Sequence, residues 1–180
     1  VAVLVAGCSA GGGNGMHVPT PDAGRIFPNL YLQGLRSSAA MDTEVTVSTW
    51  EYHDPDGTSY DLLHATVVCL WCPHCNNETN ALAAAAAWQA DRRLAVLQIA
   101  IQGYGSASPT WAEIQEWATD HAVGFPVLID GQAAKLRQYY DVSSVPFNIM
   151  VNPRDMSVLG IDVGEVGDVQ AYEQGYLDRL

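Results

Sequence analysis

Two cysteines with two residues between them, Cys72-Pro73-His74-Cys75, offer the clearest chemistry in this chain. A continuous apolar run, Ala65 to Trp71, leads into them, and a segment of helix-forming composition, Asn76 to Arg93, follows. A cysteine where a helix begins stands beside unpaired backbone N–H groups and the positive end of the helix dipole. Both favour thiolate over thiol, so Cys72 is expected to be an exposed nucleophile of low pKa. Cys75 falls one turn later and deeper, placed to attack a mixed disulfide at Cys72. Pro73 begins the helix at a position that needs no N–H. His74, as a donor or a cation, would further stabilise the Cys72 thiolate and so make the pair more oxidising. Trp71, just before the pair, is expected either on the rim of the site or in simple packing.

The other titratable residues give little competing chemistry. Of four cysteines, Cys69 lies inside the apolar run and reads as an inert core thiol. A zinc site would need two more ligands at suitable spacing, and His17, His53, His64 and His121 are scattered. A module without exchange activity, binding Cu(I) through the two thiolates or acting like a chaperone on a partner, is the alternative left open. No metal or cofactor is therefore expected. No phosphate loop, serine nucleophile elbow or His-Glu-x-x-His segment occurs, nor does the peroxidatic Pro-x-x-x-Thr-x-x-Cys pattern. Eight basic residues against 20 acidic ones give a formal charge of -12, the wrong sign for a nucleic-acid partner.

The elements that must position the pair follow from pattern. The run Ala65 to Trp71 has no polar alternation, as expected of a central strand covered on both faces. Asn76 to Arg93 reads as one helix, with Ala83 to Ala87 inside it and Arg92 and Arg93 in its last turn. Leu94 to Ile101 is a second buried strand. Ser108 and Pro109 begin a helix to His121, Pro126 to Ile129 is a short strand, and Gln132 to Tyr140 reads as a helix. Phe147 to Val151 and Ser157 to Val163 are strands joined by a turn at Asn152-Pro153-Arg154-Asp155. Asp168 caps a closing helix to Leu180. Val45 to Tyr52 is a strand, Asp54-Pro55-Asp56-Gly57 a turn, and Ile26 to Leu35 an ordered lead-in. The alternation predicts an α/β domain over 26–180: a central mixed sheet with parallel strands, helices on both faces and an antiparallel hairpin at its edge.

Trp71 to Cys75 between strand and helix, with Val145-Pro146 about 70 residues later, resembles the thioredoxin superfamily. The strand and helix between Phe125 and Tyr140 resemble the insert of its membrane-anchored TlpA/ResA-type members, and the Cys-Pro-His-Cys tetrapeptide is similar to that of DsbA-type oxidases. The resemblance implies a thioredoxin-like fold with an inserted strand-helix unit. It also implies a cis Pro146 facing the cysteines, with the Val145 backbone pairing to an extended substrate segment. The implied activity is thiol–disulfide exchange with proteins of the cell envelope, recycled by a redox partner, with Cys72 attacking and Cys75 resolving. Thioredoxins carry a buried Asp six residues before the first cysteine, where this chain has Thr66. Water, or a carboxylate from elsewhere, would have to move the proton of the resolving thiol.

Residues 1–7 are apolar and end in small residues, like the end of a signal-peptide core. Val5-Ala6-Gly7-Cys8 resembles the bacterial lipobox, which implies lipidation at Cys8 and attachment to a membrane facing the periplasm. Residues 8–25, rich in Gly, Pro and Asn, read as a flexible tether.

Overall fold

The computed structural model describes residues 24–41 and 43–180. Cys8, residues 1–7 and nearly all of the tether therefore lie outside the described residues. Seven described strands form one sheet in the order β2-β1-β5-β4-β3-β6-β7. They are β1 (Tyr31–Leu35), β2 (Val45–Ser48), β3 (Leu62–Cys69), β4 (Leu94–Gln102), β5 (Val127–Ile129), β6 (Phe147–Asn152) and β7 (Ser157–Val163). The helices are α1 (Pro73–Ala84), α2 (Ala86–Asp91), α3 (Trp111–Asp120) and α4 (Val169–Leu177).

Every residue of β3 and β4 is buried, the polar His64, Thr66, Gln98 and Gln102 among their apolar neighbours included. β3, β4 and β5 run parallel, and β6 returns antiparallel to β3 with Thr66 opposite Asn148 and Val67 opposite Phe147. An antiparallel partner brings its beginning to the other strand's end. The residues just before Phe147 are thereby set beside the residues just after Cys69. This register brings Pro146 to the cysteines across some 70 residues of chain.

Pro73 occupies the first turn of α1, and Cys72 is its N-cap with extended backbone (φ -85, ψ 119). The single helix expected from Asn76 to Arg93 is broken at Ala85, whose N–H is shared among the carbonyls of Ala81, Leu82 and Ala83 before α2 resumes. α3 starts two residues later than expected. Thr110 accepts a hydrogen bond from the Glu113 N–H, and the Glu113 carboxylate accepts from the Thr110 N–H, a reciprocal box that outcompetes Ser108. Asp168 caps α4 as read, accepting from the Ala171 N–H at 3.0 Å.

Three further segments differ from expectation. The strand expected from Val45 to Tyr52 ends at Ser48, and Thr49–Tyr52 forms a 3-10 turn. The lead-in contributes β1, an internal strand paired antiparallel to both β2 and β5. Residues 132–140 form two short 3-10 turns, Gly131–Ala133 and Leu136–Gln138, in place of a regular helix. Gln132 and Ala133 have positive φ, and the Asp130 carboxylate takes the N–H groups of Lys135 and Leu136, so helical bonding cannot run through.

β1 fits between its neighbours only because residue 34 lacks a side chain. A Cβ there would lie 2.2 Å from the Val127 carbonyl oxygen and 2.7 Å from the Leu128 Cα. Both atoms are β5 backbone, so no flexible group can give way. Gly34→Ala should lower the unfolding free energy by about 1–3 kcal/mol; a urea midpoint equal to wild type would show that the β1–β5 spacing is looser than described.

Candidate functional site

Cys72 sits at the junction of β3 and α1. Its N–H donates to the Cys69 carbonyl at 3.0 Å, while its own carbonyl accepts from the Asn76 N–H and side chain, at 3.1 and 2.8 Å. These bonds hold the residue in the N-cap position, beside the positive end of α1. The Val145–Pro146 bond is cis, and Cys72 Sγ lies 4.0 Å from the Val145 carbonyl oxygen. Structure thus brings together Trp71, Cys72, Pro73, His74, Cys75, Val145 and Pro146.

One expectation is corrected. Cys72 is 0% exposed, as is Cys75, so both cysteines are enclosed in this conformation. An N-cap position fixes a residue's backbone and its place on the dipole. It does not fix what surrounds the side chain: here the Cys72 sulfur is held in a disulfide and lies 4.0 Å from the Val145 carbonyl oxygen. Cys69 and Cys75 are free thiols, so Cys72 and Cys75 are not joined to each other. Burial pushes the Cys69 thiol up to about 12, consistent with an inert core residue. Burial also raises Cys75 far above the ordinary thiol range, and the nearby Cys69, Glu78 and Glu165 add to the effect.

The neighbouring side chains are held by named partners. Trp71 is half-buried and donates its indole N–H to Gln102 Oε1 at 2.9 Å. His74 Nδ1 lies 2.6 Å from Glu165 Oε2. Glu165 belongs to a short loop after β7 that touches the site three times. The Gly164 N–H donates to the Pro146 carbonyl at 2.9 Å, Glu165 engages His74, and the Val166 N–H donates to Glu78 Oε2 at 2.8 Å. Among the described residues, no group of three or more His, Cys, Asp or Glu is placed to hold a metal ion. No described helix is long and apolar enough to cross a membrane.

No family model and no curated protein matches the chain. Solved structures do. A protein assigned as a DsbE-type thiol:disulfide interchange protein from Chlorobium tepidum superposes with a TM-score of 0.67 at 14% identity, covering 89% of this chain and 98% of its own. The thioredoxin domain of a thiol-disulfide oxidoreductase from Bacteroides vulgatus gives 0.66 at 12% identity, covering 88% and 99%. A peroxidoxin, BcpB from Mycobacterium tuberculosis, gives 0.63 at 14% identity, covering 88% and 97%. The chain has the thioredoxin-like fold.

On that fold, Glu78 is the residue that sequence reasoning missed. It is 1% exposed, and its Oε1 accepts from the Thr66 hydroxyl at 2.9 Å. Thr66 thus stands where thioredoxins carry their acid and holds a carboxylate brought by α1. The buried positions of α1 are Cys75, Glu78, Thr79 and Leu82, the spacing of one helix face. That spacing was the available signal: Glu78 lies three residues after Cys75, on the same stripe. It escaped notice because polar residues at inward positions look like a solvated face.

Burial raises the Glu78 carboxyl above its ordinary pKa, against the opposing influence of His64 and of its own hydrogen bonds. The folded protein therefore holds this proton more tightly than the unfolded chain, whose carboxyl titrates near about 4.3. Its contribution to stability is full below that value and is lost as pH rises toward the folded pKa. Glu78→Gln cannot ionise, so it should gain stability over wild type across that window, by about 1.4 kcal/mol for each unit by which the pKa is raised. Urea unfolding at acidic and mildly alkaline pH measures the gain; a difference independent of pH would exclude a raised Glu78.

Proposed function

We propose that this protein is a thiol–disulfide oxidoreductase that exchanges disulfides with other proteins through Cys72 and Cys75. The observation that carries the reading is the placing of Cys72 at the N-cap of α1, 4.0 Å from the Val145 carbonyl and beside a cis Pro146. A redox-active cysteine sulfur at a helix start and a strand segment that can face a substrate are the two parts that exchange needs. The names of the structural neighbours, which include a thiol:disulfide interchange protein and a thiol-disulfide oxidoreductase, support the same class.

In the reducing direction, the Cys72 thiolate attacks one sulfur of a target disulfide and displaces the other as a thiolate. Cys75 gives its proton to the Glu78 carboxylate and attacks Cys72 Sγ, releasing the target's second thiolate. The protein ends with a Cys72–Cys75 disulfide, two electrons have passed to the target, and the Glu78 proton leaves to solvent. The same steps run backwards oxidise a dithiol. A redox partner must then restore the starting state. Cys72 is enclosed here, so exchange includes a step that uncovers it. Pro73 keeps the helix start free of a competing donor, His74 and Glu165 border the pair, and Trp71 and Val145 border the substrate path.

We place the protein in the bacterial cell envelope, facing the periplasm and anchored by lipid on Cys8, on the strength of the Val5-Ala6-Gly7-Cys8 pattern and the Gly-rich residues after it. Disulfide exchange with secreted and envelope proteins suits that compartment.

Cys72→Ser should abolish catalysed reduction of insulin and catalysed oxidation of a reduced test protein. Cys75→Ser should instead accumulate a mixed disulfide with the substrate, visible by non-reducing electrophoresis and lost on adding thiol. Full activity in Cys72→Ser would exclude the mechanism.

A further inference from the structure

The sheet face that Glu78 occupies carries a longer polar chain than thiol exchange by itself requires. His64 on β3 is 0% exposed, and both ring nitrogens are engaged. Nδ1 lies 2.8 Å from Glu173 Oε1 on α4, and Nε2 lies 2.9 Å from Asn148 Oδ1 on β6. Asn148 turns its amide nitrogen to Glu78 Oε2 at 3.2 Å and to the Gly164 carbonyl at 3.3 Å. Glu173 in turn accepts from Gln89 Nε2 at 3.0 and 3.1 Å. The chain thus runs Glu78, Asn148, His64, Glu173, Gln89, and each of its members is buried.

The donor inventory decides where the protons are. A carboxylate oxygen and a backbone carbonyl only accept. The amide nitrogen of Asn148 must therefore face Glu78 and Gly164, because a flipped amide would set its oxygen against two acceptors. Asn148 Oδ1 then faces His64, and Nε2 must carry a hydrogen. Glu173 as a carboxylate accepts at Nδ1, and Nδ1 then carries one too. A ring that donates from both nitrogens is an imidazolium. Burial would push the imidazole pKa down, but Glu173, Glu78 and Asn148 hold it above its ordinary value. The other group beside the ring is Tyr172 of α4, at 5.7 Å between centroids. Its hydroxyl donates to Asp162 of β7 at 2.9 Å, and burial keeps it neutral by raising its pKa well above the usual range.

One buried cation therefore sits between two buried carboxylates. Glu173 pairs with it directly. Glu78, reached through one amide, is the carboxylate that lies on the Cys75 stripe of α1. We propose that His64 is a positioning residue for the thiol chemistry: held as a cation by Glu173, it sets through Asn148 how readily Glu78 accepts and returns the proton of Cys75. The assignment rests on the exchange reading above for its use, and on geometry alone for its electrostatics. Without the cation, the Glu173 anion would face Glu78 unbalanced in a low-dielectric interior. Glu78 would then stay protonated to higher pH, unable to take a proton from Cys75 where wild type can.

The test is His64→Gln, which removes the charge and keeps a hydrogen-bonding side chain. In the reduced full chain, a carbon-13 titration of the Glu78 carboxyl should show its midpoint raised by at least one pH unit, about tenfold in proton affinity. The pH profile for Cys75 attacking a glutathione mixed disulfide on Cys72 should move by the same amount, and in a Glu78→Gln background the His64 change should have no further effect. An unmoved Glu78 midpoint overturns the proposal. The carboxyl titration needs no exchange activity, so a shifted midpoint in a protein that fails to exchange would refute the proposed function and leave the electrostatic link standing. Nitrogen-15 spectra of the wild-type His64 ring provide a second arm that needs no variant. Both nitrogens should stay protonated at a pH above the ordinary histidine value of about 6.5, and a neutral tautomer there overturns the proposal.

Discussion

A carboxylate sealed in the core has to be satisfied from every side, and Glu78 places that demand on most of the fold. Its oxygens are met by the Thr66 hydroxyl from β3, the Asn148 amide from β6 and the Val166 N–H from the loop after β7. An unmet buried charge costs several kcal/mol, about 3–5 where one partner of a buried pair is removed. The three elements are thus tied to α1 by more than apolar contact. The same loop supports Pro146 through the Gly164 N–H. A shift of α1 relative to the proline segment would therefore break bonds at Glu78. This is how α1, with Cys72 at its cap and Cys75 in its first turn, and the segment of the cis Pro146 can be held in fixed relation.

The parts of the fold that local chemistry dictates were legible in the residues. β3, β4 and the β6–β7 hairpin read as apolar runs and turn residues, and Asp168 read as a cap, because each signal lies within a few residues of the element it defines. β1 was less legible. Its burial alternates across Leu32, Gly34 and Leu35, but Pro28 and Gly34 mask a strand whose glycine answers to Val127, far along the chain. Residues 132–140 look helical by composition, yet Asp130 and two positive-φ residues override propensity. At the site, Cys72, Cys75 and Pro146 carry a recognisable spacing. His64, Glu78, Asn148 and Glu173 do not, since bonds spanning 70 to 109 residues join them only once the sheet closes.

Fold likeness alone does not choose the chemistry, since interchange proteins and a peroxidoxin superpose on this chain about equally well. The residues do more. Thr66-Val67-Val68-Cys69 matches the end of the peroxidatic pattern, but Leu62 stands where its proline belongs. Cys69 lies at the end of the fully buried β3, with its thiol pushed up to about 12 by burial. A thiol that is protonated throughout the neutral range is a poor nucleophile toward peroxide or disulfide. Cys72, by contrast, sits on the positive end of a 12-residue helix. The proposed assignment of chemistry to the Cys-Pro-His-Cys pair is supported by the place of Cys72 at the helix start.

In the proposed exchange, Thr66 in the place of an aspartate changes the mechanics as well as the identity of the acid. An acid on the strand would keep its distance from the resolving thiol only through packing between sheet and helix. Glu78 shares α1 with Cys75, three residues away, so helix geometry sets their separation at about 5–6 Å between Cβ atoms. If α1 moves when Cys72 is uncovered, the proton acceptor moves with the thiol it serves. The sheet then acts on the acid at a distance, through the hydroxyl of Thr66 and through the Asn148–His64–Glu173 chain. Position is fixed by the helix and proton affinity by the sheet, which allows each to be altered by substitution without the other.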